Sequence, residues 1–197
     1  MRVAVSGTHC CGKSTLIDRF LITHTDFAHE PEPYTVLEEL HGEIFAAEPS
    51  ADDFYRQLEF NIARLRSYNA GEMVIYERSP IDFLAYMLAL DDLGRDKEAG
   101  WLAERSFGMV KNAIELLDLI VFLPLNDMDS NVMPDSEDEE LRNAVDDRLV
   151  ALLFDDDLNL FASRRPVVLE VRGSTEQRLL KIEAALESQL GEESSYV

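Results

Sequence analysis

Eight residues near the amino terminus, Gly7-Thr8-His9-Cys10-Cys11-Gly12-Lys13-Ser14, limit what this chain can fold into more than any other feature. They satisfy G-x-x-x-x-G-K-[ST], a pattern with physical meaning only where a strand delivers the chain into the loop and a helix carries it away. Both flanks fit, because residues 2–6 form a short β-branched run and residues 14–23 read as a helix. In that setting the glycines let backbone N–H groups wrap a triphosphate at the positive end of the helix dipole. Lys13 then reaches the β- and γ-phosphates, and the Ser14 hydroxyl ligates Mg²⁺. Thr8, His9, Cys10, Cys11 and Thr15 complete the expected nucleotide contacts of the loop.

The rest of the chain alternates apolar strand-like runs with helix-length amphipathic segments, the pattern of a parallel sheet covered on both faces. Besides 2–6, strands are expected at 27–30, 73–77, 119–123 and 167–171. Pro31 and Pro33 end the second strand, and Pro49 interrupts the helical region after it. Between 51 and 70, Phe54, Leu58, Ile62, Leu65 and Tyr68 recur at helical spacing, with Gly71 as a stop. Pro80 opens a segment, 81–90, that is apolar on nearly every face and is therefore expected to be buried. A last helix is expected at 175–190, followed by a flexible tail at 191–197. The fold class is α/β, a five-stranded parallel sheet with helices on both faces, and residues 1–190 read as one domain.

Composition removes several classes of function. With 46% hydrophobic side chains in 197 residues the chain can bury one sizeable core. Two adjacent cysteines give neither a disulfide framework nor spaced metal ligands, so a reducing compartment fits. The formal charge of -21 repels nucleic-acid backbones and anionic bilayers, so neither a polynucleotide nor a membrane is an expected partner. No membrane-length apolar run and no leader is seen, and a cytoplasmic location is expected. Only four basic residues are lysine, which fits either a surface adapted to high salt or an arginine-rich codon usage.

A phosphate loop specifies a triphosphate but not a reaction. A guanine-reading N/T-K-x-D is expected after the fourth strand, yet residues 125–129 read Leu-Asn-Asp-Met-Asp, with no lysine. The chain is also short for a ring-forming ATPase module with its helical lid. A small ATP-dependent phosphotransferase remains. Glu30-Pro31 after the second strand, Glu77-Arg78-Ser79 after the third, Gln57 in an aromatic-rich helix and Gly173-Ser174 after the fifth resemble the P-loop kinases that include deoxynucleoside kinases, thymidylate kinases and ribosylnicotinamide-kinase-like ATPases. The run from Glu77 to Tyr86 is most like the ribosylnicotinamide-kinase type, and Glu30-Pro31 leans toward the deoxynucleoside kinases.

The resemblance implies a P-loop NTPase fold with a small lid, and ATP with Mg²⁺. A sugar hydroxyl is a weak nucleophile, so a carboxylate at a strand end beside the loop must accept its proton. Glu30 is placed for that, with Glu32 as a rival two residues on. Glu77 is expected to hold Mg²⁺, directly or through water, and Arg78 to fork onto the transferring phosphoryl group, unless the two form a structural ion pair. Tyr34, Tyr55, Gln57 and Tyr86 are candidates for the acceptor pocket, and Arg172 for the adenine ring. The lid is expected at about 126–143, where Arg142 and Arg148 are the local phosphate clamps or else neutralise an unusually acidic run. The reading is an ATP- and Mg²⁺-dependent kinase of a small hydroxylated acceptor, a nucleoside or nucleoside monophosphate, with a homodimer left open. The alternative is a regulatory ATP-binding protein with little kinase activity.

Overall fold

The computed structural model describes residues 1–43, 45, 49–125, 138–161 and 166–194. In chain order they form β1 (Arg2–Ser6), α1 (Lys13–Thr23), β2 (Ala28–Glu30), α2 (Pro33–His41), α3 (Ala51–Ser67), β3 (Val74–Glu77), α4 (Pro80–Asp92), α5 (Ala99–Ile114), β4 (Leu119–Phe122), α6 (Glu139–Val150), β5 (Val167–Glu170) and α7 (Thr175–Ser194). A π-helical turn, Ala151–Asp155, continues α6. The five strands are all parallel, in the order β2-β3-β1-β4-β5.

The central strands carry uninterrupted apolar runs, Val3–Val5, Val74–Tyr76 and Leu119–Phe122, because helices cover both of their faces. Val3 and Val5 of β1 pack with Leu16, Phe20 and Ile182 on the side of α1 and α7. Ala4 faces the opposite way, into the larger core built from α3, α4, α5 and α6. The segment expected to be buried on every face is α4, which packs against α3, α5 and α6. Among the described residues no helix is long and apolar enough to cross a membrane.

Several boundaries differ from the sequence expectation, each for a local reason. Pro33 opens α2 at its first position rather than ending β2, since its fixed φ suits a helix start and its missing N–H is not needed there. α3 stops at Ser67 because Tyr68 turns extended, and Gly71, with φ 93°, lies in the turn that enters β3. α7 runs on to Ser194, past the expected end at 190. Of the segment read as a lid, residues 126–137 lie outside the described residues and 139–143 belong to α6.

The order β2-β3-β1 brings three carboxyl ends together. The loop after β1, the acids after β2 and the Glu77-Arg78 pair after β3 therefore share one edge of the sheet, where ligands of open parallel sheets bind.

Candidate active site

Two glycines shape the loop. Gly7 has φ 151°, and a Cβ there would lie 2.7 Å from both Cys11 Sγ and Leu123 O, so no side chain fits. Gly12, with φ 92°, is the N-cap of α1. Between them Cys10 takes φ 56°, a left-handed conformation that costs a non-glycine residue about 1 kcal/mol. That strain is outweighed by an unusual set of bonds. Arg78 Nη1 donates to Gly7 O at 3.1 Å, Lys13 Nζ to Thr8 O at 2.7 Å, and Arg142 to His9 O at 2.9 Å and Cys10 O at 3.5 Å. Arg178 Nη1 donates to Cys11 O at 3.1 Å. Successive carbonyls from residue 7 to residue 11 are thus each capped by a cation. A charge-assisted bond of this kind contributes about 2 kcal/mol when buried. The same caps gather Lys13, Arg78, Arg142 and Arg178 into a positive island on a chain of formal charge -21.

At the start of α1, Ser14 Oγ donates to Glu77 Oε1 at 2.8 Å. A hydroxyl and a carboxylate side by side are hard oxygen donors suited to Mg²⁺, which keeps several waters and takes further ligands from phosphates. Among the described residues no cluster of three or more His, Cys, Asp or Glu could hold a metal alone. Two oxygen donors fit a cation that takes its remaining ligands from water and from phosphate oxygens.

Arg78 organises the wall facing the loop. It leaves β3 with φ 78°, its N–H bonded to Val5 O at 3.0 Å and its carbonyl to Asn61 Nδ2 at 3.3 Å. Its guanidinium is 2% exposed, bonds Glu32 through Nε, approaches Asp82 Oδ1 at 3.7 Å and lies 5.1 Å from the Tyr86 ring centre. Asp82 in turn accepts from Gly7 N at 2.9 Å and from Ser79 N at 2.8 Å, fixing the loop entrance and the N-terminus of α4 in one side chain. His9 Nε2 stands 3.4 Å from Arg78 Nη2. Although its ring touches solvent, desolvation in the cleft, with Arg78 and further cations, holds its pKa far below the ordinary histidine value, so the imidazole is neutral.

The two acids after β2 have separate roles in this geometry. Glu30, expected as the proton acceptor, is held by Arg64 through two nitrogens and by the Tyr68 hydroxyl, all pairs within the β2–α3 layer. Glu32, the rival, is the acid joined to Arg78 and hence to the loop. The difference arises because Glu30 is the last residue of β2, whereas Glu32 has left the strand as the N-cap of α2. Burial would raise both carboxyls, yet Arg64 and Tyr68 bring Glu30 below its ordinary value, and Arg78 with Lys13 brings Glu32 to about 2.

A carboxylate whose pKa is lowered by folding adds stability that is complete above its unfolded value of 4.5 and is lost as pH falls toward the folded one. The unfolding free energy is therefore expected to drop between about pH 5 and about pH 3, and Glu32→Gln to flatten the drop. Denaturant titrations at both pH values read this directly. An equally steep drop in the variant would show that the Glu32 charge does not stabilise the fold.

Other expected site residues are redistributed. Arg142 reaches the loop, but Arg148 is spent on a surface pair with Asp92. Arg172 pairs with Glu170 at the end of β5. Tyr55 points to α5, its hydroxyl 3.8 Å from Met109 Sδ and its ring under Arg105. Tyr34 is exposed, bonded to Glu38 and packed near Phe45. Gln57 and Tyr86 are buried, and Tyr86 stacks on Phe54 at 4.4 Å. Asn61 and Arg178 were not legible as site residues, and Asp82 was visible only within the family-like run after β3. No pattern in one sequence marks a polar helix residue as inward-facing, although Gln57 and Asn61 at i, i+4 share a face.

A family model described as an AAA domain matches residues 2–178. Deoxyadenosine kinase from M. mycoides with bound dATP superposes with a TM-score of 0.66 at 15% identity, over 95% of this chain and 100% of that one. The same enzyme with dCMP and a flexible dCDP gives 0.64 at 15%, again over 95% and 100%. Thymidylate kinase from Candida albicans gives 0.63 at 17%, over 95% of this chain and 91% of that one. No curated protein matches. At these identities the likeness to solved structures is one of fold.

Proposed function

Because the chain belongs to the family of P-loop AAA domains, we propose that it is an ATP- and Mg²⁺-dependent kinase acting on a small hydroxylated acceptor, a nucleoside or nucleoside monophosphate. The observation that carries this reading is the Glu32–Arg78 pair, a carboxylate and a guanidinium bonded to each other and, through Gly7 O, to the phosphate loop.

In this mechanism the loop and Lys13 hold the phosphate chain, and Ser14 and Glu77 would hold Mg²⁺, which would supply positive charge to offset that of the phosphates. Arg78 presents its fork to the transferring group. Glu32 accepts the hydroxyl proton as the new P–O bond forms and the bond from the γ-phosphorus to the oxygen bridging it to the β-phosphate breaks, releasing ADP. A carboxylate of pKa about 2 is a weak base, which suits a loose transition state in which the proton leaves late. Arg142, brought over the loop by α6, adds positive charge and closes that side against water.

The nucleoside assignment rests on the buried side chains beside Arg78. Phe54 and Tyr86 stack, and the Tyr86 hydroxyl and Asn61 Oδ1 are buried without a partner among the described residues. Gln57 lies one turn before Asn61 on the same buried face of α3. Flat aromatic surface beside polar groups of both kinds suits a ring with hydrogen-bonding edges.

The test is acceptor-stimulated ADP release, measured across nucleosides, nucleotides and vitamin precursors, with the phosphorylated product identified by mass. Stimulation by none of them would leave the regulatory ATP-binding alternative as the better account. A second expectation concerns the thiols. Cys10 is exposed and Cys11 is buried under Gly7, so an alkylating reagent should label Cys10 first, and saturating Mg-ATP should slow it. Equal labelling with and without nucleotide would place the Cys10 thiol outside the cradle.

A further inference from the structure

Arg178 lies in the first turns of α7, with its backbone N–H bonded to Ser174 O at 2.9 Å. Its side chain is 8% exposed. It crosses to the phosphate loop, where Nη1 donates to Cys11 O at 3.1 Å and lies 3.3 Å from where a Cβ on Gly12 would stand. The carbonyl uses one edge of the guanidinium. The Nε–H, on the opposite edge, is buried and has no partner among the described residues.

A buried cationic donor left without an acceptor is costly, and native structures rarely keep one unless a ligand, ion or water completes it. Capping the Cys11 carbonyl alone does not explain the residue, since any single donor would serve. A guanidinium held through Nη1 and left with an unpartnered Nε–H is suited to an anionic oxygen, because its fork is rigid and its charge permanent. Its place, where the loop turns into α1, is where the N-terminus of that helix also favours an anion.

We propose that Arg178 is a phosphate-binding residue, donating its Nε–H to an oxygen of the nucleotide's phosphate chain while Nη1 keeps the Cys11 carbonyl. This rests on the nucleotide-binding reading above and assigns to α7 a phosphate contact distinct from the adenine contact that the sequence had suggested for Arg172. The residue thereby ties closure of the loop to the last helix, which packs on α1.

Calorimetric titration of the full chain with Mg-ADP, pyrophosphate and adenosine tests it. Arg178→Lys keeps one donor for Cys11 O and loses the second. Affinity for Mg-ADP and for pyrophosphate is expected to fall by roughly ten-fold or more, with adenosine binding unchanged. Equal affinities in variant and wild type overturn the proposal, and so does an equal loss for all three ligands, which marks a merely structural role. Should the variant not fold, the ¹⁵Nε–¹Hε signal of Arg178 in the wild type decides. It should move downfield and exchange more slowly on saturation with pyrophosphate, and a signal that stays in place overturns the contact. A wild type that binds neither Mg-ADP nor pyrophosphate would instead overturn the nucleotide-binding reading, and this proposal with it.

Discussion

Lys13→Ala is expected to abolish the rise in melting temperature on adding Mg-ATP and to lower ATP turnover by about 10³-fold or more. Lys13 is 5% exposed, at the first turn of α1, with its ammonium bonded to Thr8 O at 2.7 Å. No other loop residue carries a charge, and the three arginines around the loop enter from α6, α7 and the end of β3, each with a donor already on a loop carbonyl. They cannot move into the lysine's place without giving up those bonds. The fold itself should tolerate the change. Arg78 and Arg142 crowd the same cleft, so removing one more cation relieves repulsion while it loses one bond to Thr8 O. The apo melting temperature is thus expected to change by only a few degrees. Thermal shifts with and without Mg-ATP, alongside an ADP-release assay, separate the two effects. Undiminished turnover in a folded variant would sink the phosphate-loop reading.

What the sequence made legible follows from which patterns are local. Strands buried on both faces carry unbroken apolar runs, so β1, β3 and β4 stand out, and the loop between β1 and α1 has a spacing that only one geometry explains. Glu77 and Arg78 follow from position, since a strand end beside that loop must face the ligand. Their partners are another matter. Whether Arg78 meets Glu30 or Glu32 depends on whether the chain is still pleated or already turning, and a two-residue offset is smaller than any boundary one can read from Pro31 and Pro33. Arg148 looks like a phosphate clamp and Arg172 like an adenine contact because they lie near the right loops. On so acidic a surface each instead finds a neighbouring carboxylate, Asp92 and Glu170. Tyr55 and Gln57 are two residues apart on α3, and a difference in helical rotation of about 200° sends one to α5 and the other inward. Arg178 reaches back across 167 residues of chain, a contact that only the packing of α7 on α1 creates.

The same offset between Glu30 and Glu32 yields the second large effect. Glu32→Gln keeps the size of the side chain and an oxygen for Arg78 but removes the base, so acceptor phosphorylation is expected to fall by roughly 10²- to 10⁴-fold. Affinity for Mg-ADP should hardly change, because Arg78 retains Gly7 O and Asp82 as partners and the loop keeps its shape. Glu30→Gln should behave differently. It weakens the bonds from Arg64 and Tyr68, and because Arg64 is partly exposed the loss is about 1 kcal/mol of stability, with turnover within a few-fold of the wild type. Arg78→Lys joins the first class, since an ammonium cannot bond Glu32 and Gly7 O in one plane while facing a phosphoryl group. Steady-state rates on the best acceptor, paired with denaturation of each variant, distinguish the two carboxylates. If Glu30→Gln loses turnover while Glu32→Gln keeps it, the proton passes to Glu30, and the Arg64 clamp must then open during the reaction.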